Sequence, residues 1–324
     1  MSASLLGLRL QQPATIAEAV AAFAAHGDAR YLAGGTDLLV NMRRGIAQTP
    51  HLIDLSQVAA LKGVREENGE FVIGASVTVA EIAGDATIAA RYPALAQAAA
   101  AIAAPGHRAV ATLGGNLCLD TRCVYYNQSE WWRKSNGWCL KHRGDTCHVA
   151  PRGERCHAAF SGDMAPALLA LGATVDIVGP DGARKIALGD LYVEDGRAHL
   201  ALAPGEILVA ARLPLTAPTS GYDKARTRGA IDYPLAGVAV ALALRDGLVE
   251  TLRIALTGLN SRPFLLEATE GFAGRPVDAT LLGEIDKLVQ KQVQPMRTTL
   301  TASNYRRLAA AALTQRLVKR LAAG

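Results

Sequence analysis

The feature that most constrains this chain is a stretch, residues 118–160, in which neither helical nor strand periodicity persists. This stretch holds all five cysteines and all three tryptophans of the chain, together with few aliphatic residues. About forty residues of this kind cannot build an ordinary apolar core. Because clustered thiols in a cytosolic protein indicate metal binding before disulfides, we predict a metal centre that supplies the missing folding energy.

Four of the cysteines are spaced so that each falls in a separate turn. Neither the close pairs typical of zinc sites nor the short runs of ferredoxins occur among them. The spacing suits a [4Fe-4S] cluster, which is larger than one zinc ion and is commonly held by four thiolates. Zinc bound by cysteine and histidine, or four unrelated thiols, remain alternatives. The four are Cys123, Cys139, Cys147 and Cys156, the nearby histidines are His142, His148 and His157, and Cys118 is predicted to be a small buried residue.

The chain as a whole has a globular composition, with 50% hydrophobic and 19% charged residues. No apolar run approaches the roughly 18 residues that span a bilayer, and residues 1–13 lack the pattern of a signal peptide. We therefore expect a soluble, cytoplasmic protein. The net charge of +5 is mild, and a docking face for a partner subunit explains it as well as nucleic acid does.

The parts of the chain on either side of this stretch carry ordinary helix and strand signals. Residues 214–221, rich in Pro, Thr and Ser, are predicted to separate two domains. The second domain is expected to be α+β, with antiparallel strands at 222–228, 235–244 and 249–257 and helices at 265–272, 280–293 and 304–321. On composition, Lys224 and Arg226 are expected in solvent, as is the basic face of the last helix, Arg306, Arg307, Arg316, Lys319 and Arg320.

Two glycine motifs have the residue types that bind a phosphate-containing cofactor. Ala33-Gly34-Gly35-Thr36-Asp37 lies between a predicted strand and helix, where glycines allow close approach and a helix start offers N–H groups. Ala111-Thr112-Leu113-Gly114-Gly115-Asn116 adds a hydroxyl and an amide. An ordinary turn explains the first motif, and a β-turn or bulge the second, as alternatives. Neither a Rossmann fingerprint nor a P-loop occurs in the sequence.

Five segments taken in order resemble a known family, the FAD-binding medium subunits of molybdenum hydroxylases such as xanthine dehydrogenase and carbon monoxide dehydrogenase. The resemblance covers nearly the whole chain. Its segments are residues 31–38, 110–116, 162–167, 222–226 and 231–240.

One departure from most of that family is the 46 residues between Asn116 and Asp163, where the family has a much shorter connection. The excess is the four-cysteine stretch. An inserted [4Fe-4S] loop at this point resembles the β subunit of the 4-hydroxybenzoyl-CoA reductases, and the cysteine spacing is similar. The resemblance implies electron flow from a ferredoxin through [4Fe-4S] and FAD to [2Fe-2S] and molybdenum centres in other subunits, where the aromatic hydroxyl is reductively removed.

The resemblance also implies a fold. This is a two-part, PCMH-like FAD-binding domain at residues 1–217, with the iron–sulfur loop inserted at 118–160. A C-terminal α+β domain, residues 218–324, follows with a three-stranded antiparallel sheet and helices. The implied partners are a molybdenum-cofactor large subunit and a [2Fe-2S] small subunit, in a dimer of heterotrimers, with no nucleic acid and no membrane.

Residue roles follow from the same resemblance, and none of them is catalytic in this chain. The first glycine loop would bind the FAD pyrophosphate, the second would hold the other side of FAD, and Asp163 would bind its ribose or adenine end. Leu208 would pack on a ring system, Lys224 would approach the polar edge of the flavin, and Ile102 stands where the family often has an aromatic ring. The implied FAD residues are Leu32, Ala33, Gly34, Gly35, Thr36, Asp37, Ile102, Thr112, Gly115, Asn116, Asp163, Leu208 and Lys224, and the cluster ligands are Cys123, Cys139, Cys147 and Cys156.

Two other functions remain open. The chain is alternatively the FAD subunit of another molybdenum hydroxylase, acting on purines, aldehydes or carbon monoxide. From a different class, the basic, Trp-containing stretch fits a zinc-stapled binding module without a redox role.

Overall fold

A computed structural model describes residues 7–324 as three sheets with helices packed between and around them. The strands are β1 (Arg9–Gln11), β2 (Arg30–Leu32), β3 (His51–Asp54), β4 (Val64–Glu67), β5 (Glu70–Gly74), β6 (Thr174–Gly179), β7 (Gly182–Ala187), β8 (Ile207–Pro214), β9 (Thr219–Ala225), β10 (Ala236–Arg245), β11 (Leu248–Thr257) and β12 (Phe264–Leu265). The helices are α1 (Ile16–Ala24), α2 (Leu38–Arg43), α3 (Val79–Gly84), α4 (Ala86–Arg91), α5 (Pro93–Ala101), α6 (Pro105–Arg108), α7 (Leu113–Leu117), α8 (Glu130–Ser135), α9 (Met164–Ala170), α10 (Ala279–Gln292) and α11 (Ser303–Ala322).

The first sheet is small and parallel, in the order β1-β3-β2. Helix α1 covers it, and Ala19 of this helix lies in one apolar cluster with Ile53 of β3. Strand β2 pairs with β3 up to Leu32, opposite Asp54. The first glycine motif therefore begins at the carboxyl end of a short parallel strand, an edge at which ligands commonly bind.

The second sheet has five antiparallel strands in the order β4-β5-β8-β6-β7. Helices α3, α4, α5, α7 and α9 contribute to the largest apolar cluster, which also contains Phe71 and Ile73 of β5. Helix α9 is buried along its whole length. This cluster fixes the position of the second glycine motif, because Leu113 and Leu117 of α7 are fully buried in it.

The third sheet is antiparallel and has four strands, β12-β11-β10-β9, where three were predicted. The first seven residues of β10 are buried, because their side chains alternate between two faces that are both covered. Its small residues Ala239 and Ala241 face the second sheet's core, and its larger residues Val238, Val240 and Leu242 face α10 and α11. The two parts of the chain thus share one strand as a common wall.

The α-helix predicted at 265–272 is wrong, although the last four of these residues, Thr269–Phe272, form a 3-10 helix. Residues Phe264–Leu265 form β12 on the edge of β11, and Leu266 N donates to Ile254 O at 2.7 Å. Ala268 then takes a left-handed conformation, with φ of 63°, which an α-helix cannot contain. Edge pairing with β11 therefore prevails over the local helix signal.

The last helix also corrects the sequence prediction at one residue. Arg306 is fully buried, although its basic neighbours Arg307, Arg316, Lys319 and Arg320 are at least partly exposed. Its guanidinium donates to Leu235 O at 3.0 Å and to Met296 O at 2.9 Å, and it also contacts Gly258 O. Burial lowers the pKa of Arg306 to about 10. This buried cation therefore joins α11 to backbone carbonyls that flank strands of the third sheet.

The cysteine segment, residues 118–160, is an excursion from this scaffold. Arg122 N donates to Ala159 O and Ala159 N to Arg122 O, both at 2.7 Å, so its two ends pair. It contains one short helix, α8, which the sequence pattern did not predict, capped by Ser129. Val124 N donates to Thr298 O at 2.8 Å and ties the segment to the C-terminal part. In the part of the chain that the structure describes, no helix has both the length and the apolarity to cross a membrane.

Candidate functional site

The first glycine loop lies directly against the second glycine motif. A Cβ atom on Gly34 would meet the carbonyl oxygen of Val110 at 1.9 Å, so only glycine fits there. Gly35 has φ of 68°, a left-handed conformation that glycine adopts without strain. The two motifs, which are far apart in sequence, therefore form one continuous surface.

The first loop also has unpaired backbone hydrogen-bond donors. Within residues 7–324 the backbone N–H groups of Gly34, Gly35 and Thr36 donate to no acceptor. The loop is partly exposed. Free N–H groups at a glycine turn are the donors that bind a phosphate or pyrophosphate. The residues present therefore fit the diphosphate part of FAD.

The second motif uses its backbone differently. Leu113 N and Gly114 N donate to Val77 O and Ala75 O at 2.9 and 2.8 Å. The Thr112 hydroxyl accepts from Gly115 N at 3.1 Å and caps α7. Its donors are thus largely occupied, and the motif offers an exposed Gly115 rather than a row of free N–H groups.

Asn116 links the second motif to the predicted residue Asp163. Its side-chain oxygen accepts from Met164 N at 3.1 Å. Asp163 forms an ion pair with Lys224 at 2.9 Å and accepts from the Tyr222 hydroxyl at 2.6 Å. Both charged side chains are buried, so Lys224 is not the solvated strand residue that composition suggested. Burial raises the pKa of Asp163, and Lys224 opposes that rise.

The two predicted ring-packing residues lie in the core. Ile102 and Leu208 are 8% and 5% exposed and belong to the same apolar cluster as α5 and α7. Ala103, which follows Ile102, has φ of 43°, and its carbonyl accepts from Ile231 N at 3.1 Å. The position of Ile102 beside a tight turn is thus fixed by the C-terminal part of the chain.

Asp37, the last residue of the first loop, contacts the cysteine segment. Its carboxylate forms an ion pair with Arg122, and it accepts from Asn41 Nδ2 at 3.0 Å. The Arg122 guanidinium lies 5.0 Å from the centre of the Tyr233 ring. Sequence reasoning missed Arg122, because only the folded chain brings it to Asp37.

The four predicted ligand cysteines line one cavity. The cavity itself is small, about 10 Å³, and Tyr126, Lys141 and His148 share its wall. All cysteines are free thiols. Burial raises the pKa of Cys123, and it raises that of Cys156 to about 12 while Lys141 acts in the opposite direction. The wall contains Cys123, Cys139, Cys147 and Cys156 together.

One buried cation, Lys141, lies in the cavity wall, and a second, Arg133, packs against the wall residue Tyr126. The Lys141 side chain is 5% exposed and pairs with Asp120 at 2.6 Å. Arg133 is 2% exposed, lies over the Tyr126 and Trp138 rings, and donates to Gly45 O at 2.8 Å. Among residues 7–324, its Nε and Nη1 atoms have no hydrogen-bond partner.

Unpartnered buried donors are costly unless an acceptor is supplied. A cluster held by four thiolates is anionic, so the cation Lys141 in the cavity wall fits it. Across the described range, 7–324, no group of three or more His, Cys, Asp or Glu side chains is placed to hold a single metal ion. Of the three histidines named above, His148 is the one in the cavity wall.

The fold and the site define a class of chain in which two glycine motifs abut and a segment between them and the C-terminal part holds a thiol-lined cavity. Comparison with protein families agrees with this architecture. The family "FAD binding domain in molybdopterin dehydrogenase" matches residues 6–216, and "CO dehydrogenase flavoprotein C-terminal domain" matches residues 220–321.

Individual relatives extend over nearly the whole chain. The carbon monoxide dehydrogenase medium chain of Afipia carboxidovorans is 30% identical over 95% of this chain and 94% of its own. The aldehyde oxidoreductase FAD-binding subunit PaoB of Escherichia coli is 35% identical over 75% of this chain and 78% of its own. The solved structure of reconstituted CO dehydrogenase from Oligotropha carboxidovorans superposes with a TM-score of 0.79, at 30% identity, over 98% of both chains.

The chain therefore belongs to the family of FAD-binding medium subunits of molybdenum hydroxylases. The resemblance drawn from the five sequence segments is confirmed at this level, and so are the flavoprotein fold and FAD as its cofactor. A binding module without a redox role is not the function of a chain in this family.

Proposed function

We propose that this chain is the FAD and [4Fe-4S] electron-transfer subunit of a molybdenum enzyme that reductively dehydroxylates 4-hydroxybenzoyl-CoA to benzoyl-CoA. The observation that carries the proposal is the convergence of Cys123, Cys139, Cys147 and Cys156 on one cavity. A four-iron cluster needs thiolates around a space rather than at a point. The buried cation Lys141 in the cavity wall adds support, because it would offset part of the negative charge of the cluster.

The roles of the chain's own residues follow from their positions. Gly34, Gly35 and Thr36 would donate to the FAD diphosphate through their free N–H groups. Thr112, Gly115 and Asn116 would form the opposite wall, and the buried pair Asp163 and Lys224 would fix the polar surroundings of the cofactor. Leu32, Ala33, Ile102 and Leu208 would shape its apolar boundary. When bound, FAD and the cluster would carry electrons, and the carbon chemistry would belong to another subunit.

We further propose that the chain works in a complex. Its partners would be a molybdenum-cofactor large subunit and a [2Fe-2S] small subunit, as a dimer of heterotrimers, with a ferredoxin as electron donor. Support comes from the relatives described as medium chains and FAD-binding subunits. We place the division between domains at residues 217 and 218, in the interval between the family match that ends at residue 216 and the one that begins at residue 220. A reducing, cytoplasmic location suits five free thiols.

A second candidate is the FAD subunit of a molybdenum hydroxylase with another substrate. The relatives described as carbon monoxide dehydrogenase and aldehyde oxidoreductase subunits favour it. Activity separates the two. The complete complex is assayed with 4-hydroxybenzoyl-CoA and a reduced ferredoxin, and in parallel with purines, aldehydes and carbon monoxide. Turnover of an oxidisable substrate without turnover of the thioester would support the second candidate.

The cofactor content tests the subunit directly. The protein is purified without oxygen, and iron, sulfide, zinc and flavin are measured on one sample. About four irons and one FAD per chain are expected for a [4Fe-4S] flavoprotein. FAD with zinc and without iron would contradict the cluster assignment and leave the family assignment standing.

A further inference from the structure

The base of the cysteine segment and the first glycine loop meet at a single side chain, Arg122. Its backbone pairs with Ala159 through two hydrogen bonds of 2.7 Å and closes the segment. Cys123 follows it directly. Its guanidinium, only 14% exposed, reaches out of the segment to the carboxylate of Asp37. One residue therefore belongs to the frame of the thiol cavity and also to the environment of the FAD loop.

The ion pair between Arg122 and Asp37 is important because Asp37 carries a negative charge beside the first glycine loop. Asp37 follows Gly34, Gly35 and Thr36, whose N–H groups have no acceptor within residues 7–324. An unpaired carboxylate beside a bound diphosphate would repel it, because like charges a few ångströms apart interact strongly in a partly buried site. Arg122 supplies the neutralising charge, and Asn41 supplies one hydrogen bond of 3.0 Å.

The backbone of Arg122 is held by the segment, and its guanidinium is held by residues outside the segment. Besides the Ala159 pairing, the guanidinium packs over the Tyr233 ring at 5.0 Å and lies 3.4 Å from Asn41 Oδ1. Cys123, a residue of the cavity wall, follows Arg122 directly, so a change in the fold of the cavity reaches Arg122 through one peptide bond.

We propose that Arg122 is a positioning residue that couples the two cofactor sites: it neutralises Asp37, and so permits tight FAD binding, when the cysteine segment is folded around its centre. This inference rests on the proposed FAD and [4Fe-4S] sites. It makes FAD affinity depend on the integrity of the thiol cavity, and it gives the two cofactors an order of loading.

The test measures the Kd for FAD by flavin fluorescence on the deflavinated 324-residue chain, prepared without oxygen. Arg122→Met is expected to weaken FAD binding by about tenfold, and Arg122→Lys by less. The double variant R122M/D37N is expected to return toward the wild-type Kd, because the repelling carboxylate is gone. High salt is expected to reduce the R122M defect by screening.

A matched control is Arg155→Met. Arg155 lies in the same segment and also pairs with a carboxylate, Glu194 at 3.1 Å, but away from the glycine loops. The Kd of the R155M variant for FAD is expected to stay within about twofold of wild type. Unchanged affinity in R122M, or no recovery in R122M/D37N, would overturn the inference.

A second measurement tests the coupling itself. Cys139→Ser is expected to raise the Kd for FAD in the wild-type background and to add no further loss in R122M, since both changes act through one contact. Independent, additive losses would overturn the coupling. A wild-type chain that binds FAD but contains no iron would refute the proposed cluster, whereas normal iron and FAD with no coupling would refute this inference alone.

Discussion

The glycine-loop region and the cysteine segment are neighbours, yet they are held together by different forces. The second glycine motif rests on the largest apolar core, and the first loop meets it through backbone atoms, as at Gly34 and Val110. The cysteine segment has a small apolar cluster in which thiols pack with Ile46 and Tyr126, and it encloses a cavity whose wall contains one buried cation, Lys141. The first region is complete without its ligand, whereas the second is expected to need its centre in order to stay folded.

Of the changes considered, the removal of one cavity thiol should have the largest effect, a loss of bound iron. Cys139→Ser takes one ligand from the cavity wall and is expected to abolish iron binding, because three thiolates no longer complete the set. Iron and sulfide assays on anaerobically purified protein measure this. At saturating FAD, most flavin should remain bound, since the glycine loops are part of the other region.

The matched control for that variant is Cys118→Ser. Cys118 is a free thiol of the same segment that does not belong to the cavity wall in the described part of the chain. Its iron content should equal that of wild type. Equal iron in C139S and C118S would show that Cys139 is no ligand.

The reciprocal change is made in the glycine loops. Gly34→Ala would force a methyl group toward Val110 O, where a Cβ atom would sit at 1.9 Å. We expect a loss of about 2 kcal/mol in the free energy of unfolding from overpacking, a marked loss of FAD, and retained iron. Denaturant titration and cofactor assays measure these quantities.

Gly106→Ala is the control for the added methyl group, because nothing lies within 4 Å of a Cβ atom at Gly106. It should leave both cofactors and the stability close to wild type. If G34A lost iron and FAD together, the glycine-loop region and the cysteine segment would not be stabilised independently of each other.

A smaller expected effect is a loss of folding stability at low pH, which comes from His199 beside the cysteine segment. His199 is buried, contacts Leu119 O at 2.9 Å, and has its pKa lowered to about 4, chiefly by burial. The unfolded chain binds this proton near pH 6.5, so the folded state loses stability as pH falls from 6.5 toward 4. We expect a loss of about 1 to 2 kcal/mol between pH 7 and pH 5 from this group.

Denaturant titrations at several pH values measure the slope. In His199→Gln the side chain cannot titrate, and the dependence should flatten by that amount. An unchanged slope would assign the acid sensitivity to other groups, of which His142 and His157 also have pKa values lowered by burial.

The sequence predicted the local features that depend on a few adjacent residues. The first glycine loop is such a case, since strand, glycines and helix follow one another, and the structure keeps that order around Gly35. The convergence of four cysteines was predicted as a grouping, because no other part of the chain contains any. The family follows from motifs of the same local kind.

Features that depend on distant partners were not predictable in this way. Arg306 was expected in solvent, but the carbonyls that bury it come from residues 235, 258 and 296. Lys224 was expected in solvent and pairs with Asp163, which lies on another element. The cations Arg133 and Lys141 near the thiols had no sequence signal beyond the basic character of their segment.

Arg122 and Ala159 form one hydrogen-bonded pair although 36 residues lie between them. A chain that leaves a scaffold and returns to the same pair can change length between those points without altering the scaffold's path. The segment is therefore replaceable as a unit. A two-residue hairpin turn in place of residues 123–158 would keep the hydrogen-bonded pair of Arg122 and Ala159. Acquiring a new route for electrons into a flavoprotein would then require a single insertion, with no redesign of the frame that receives it.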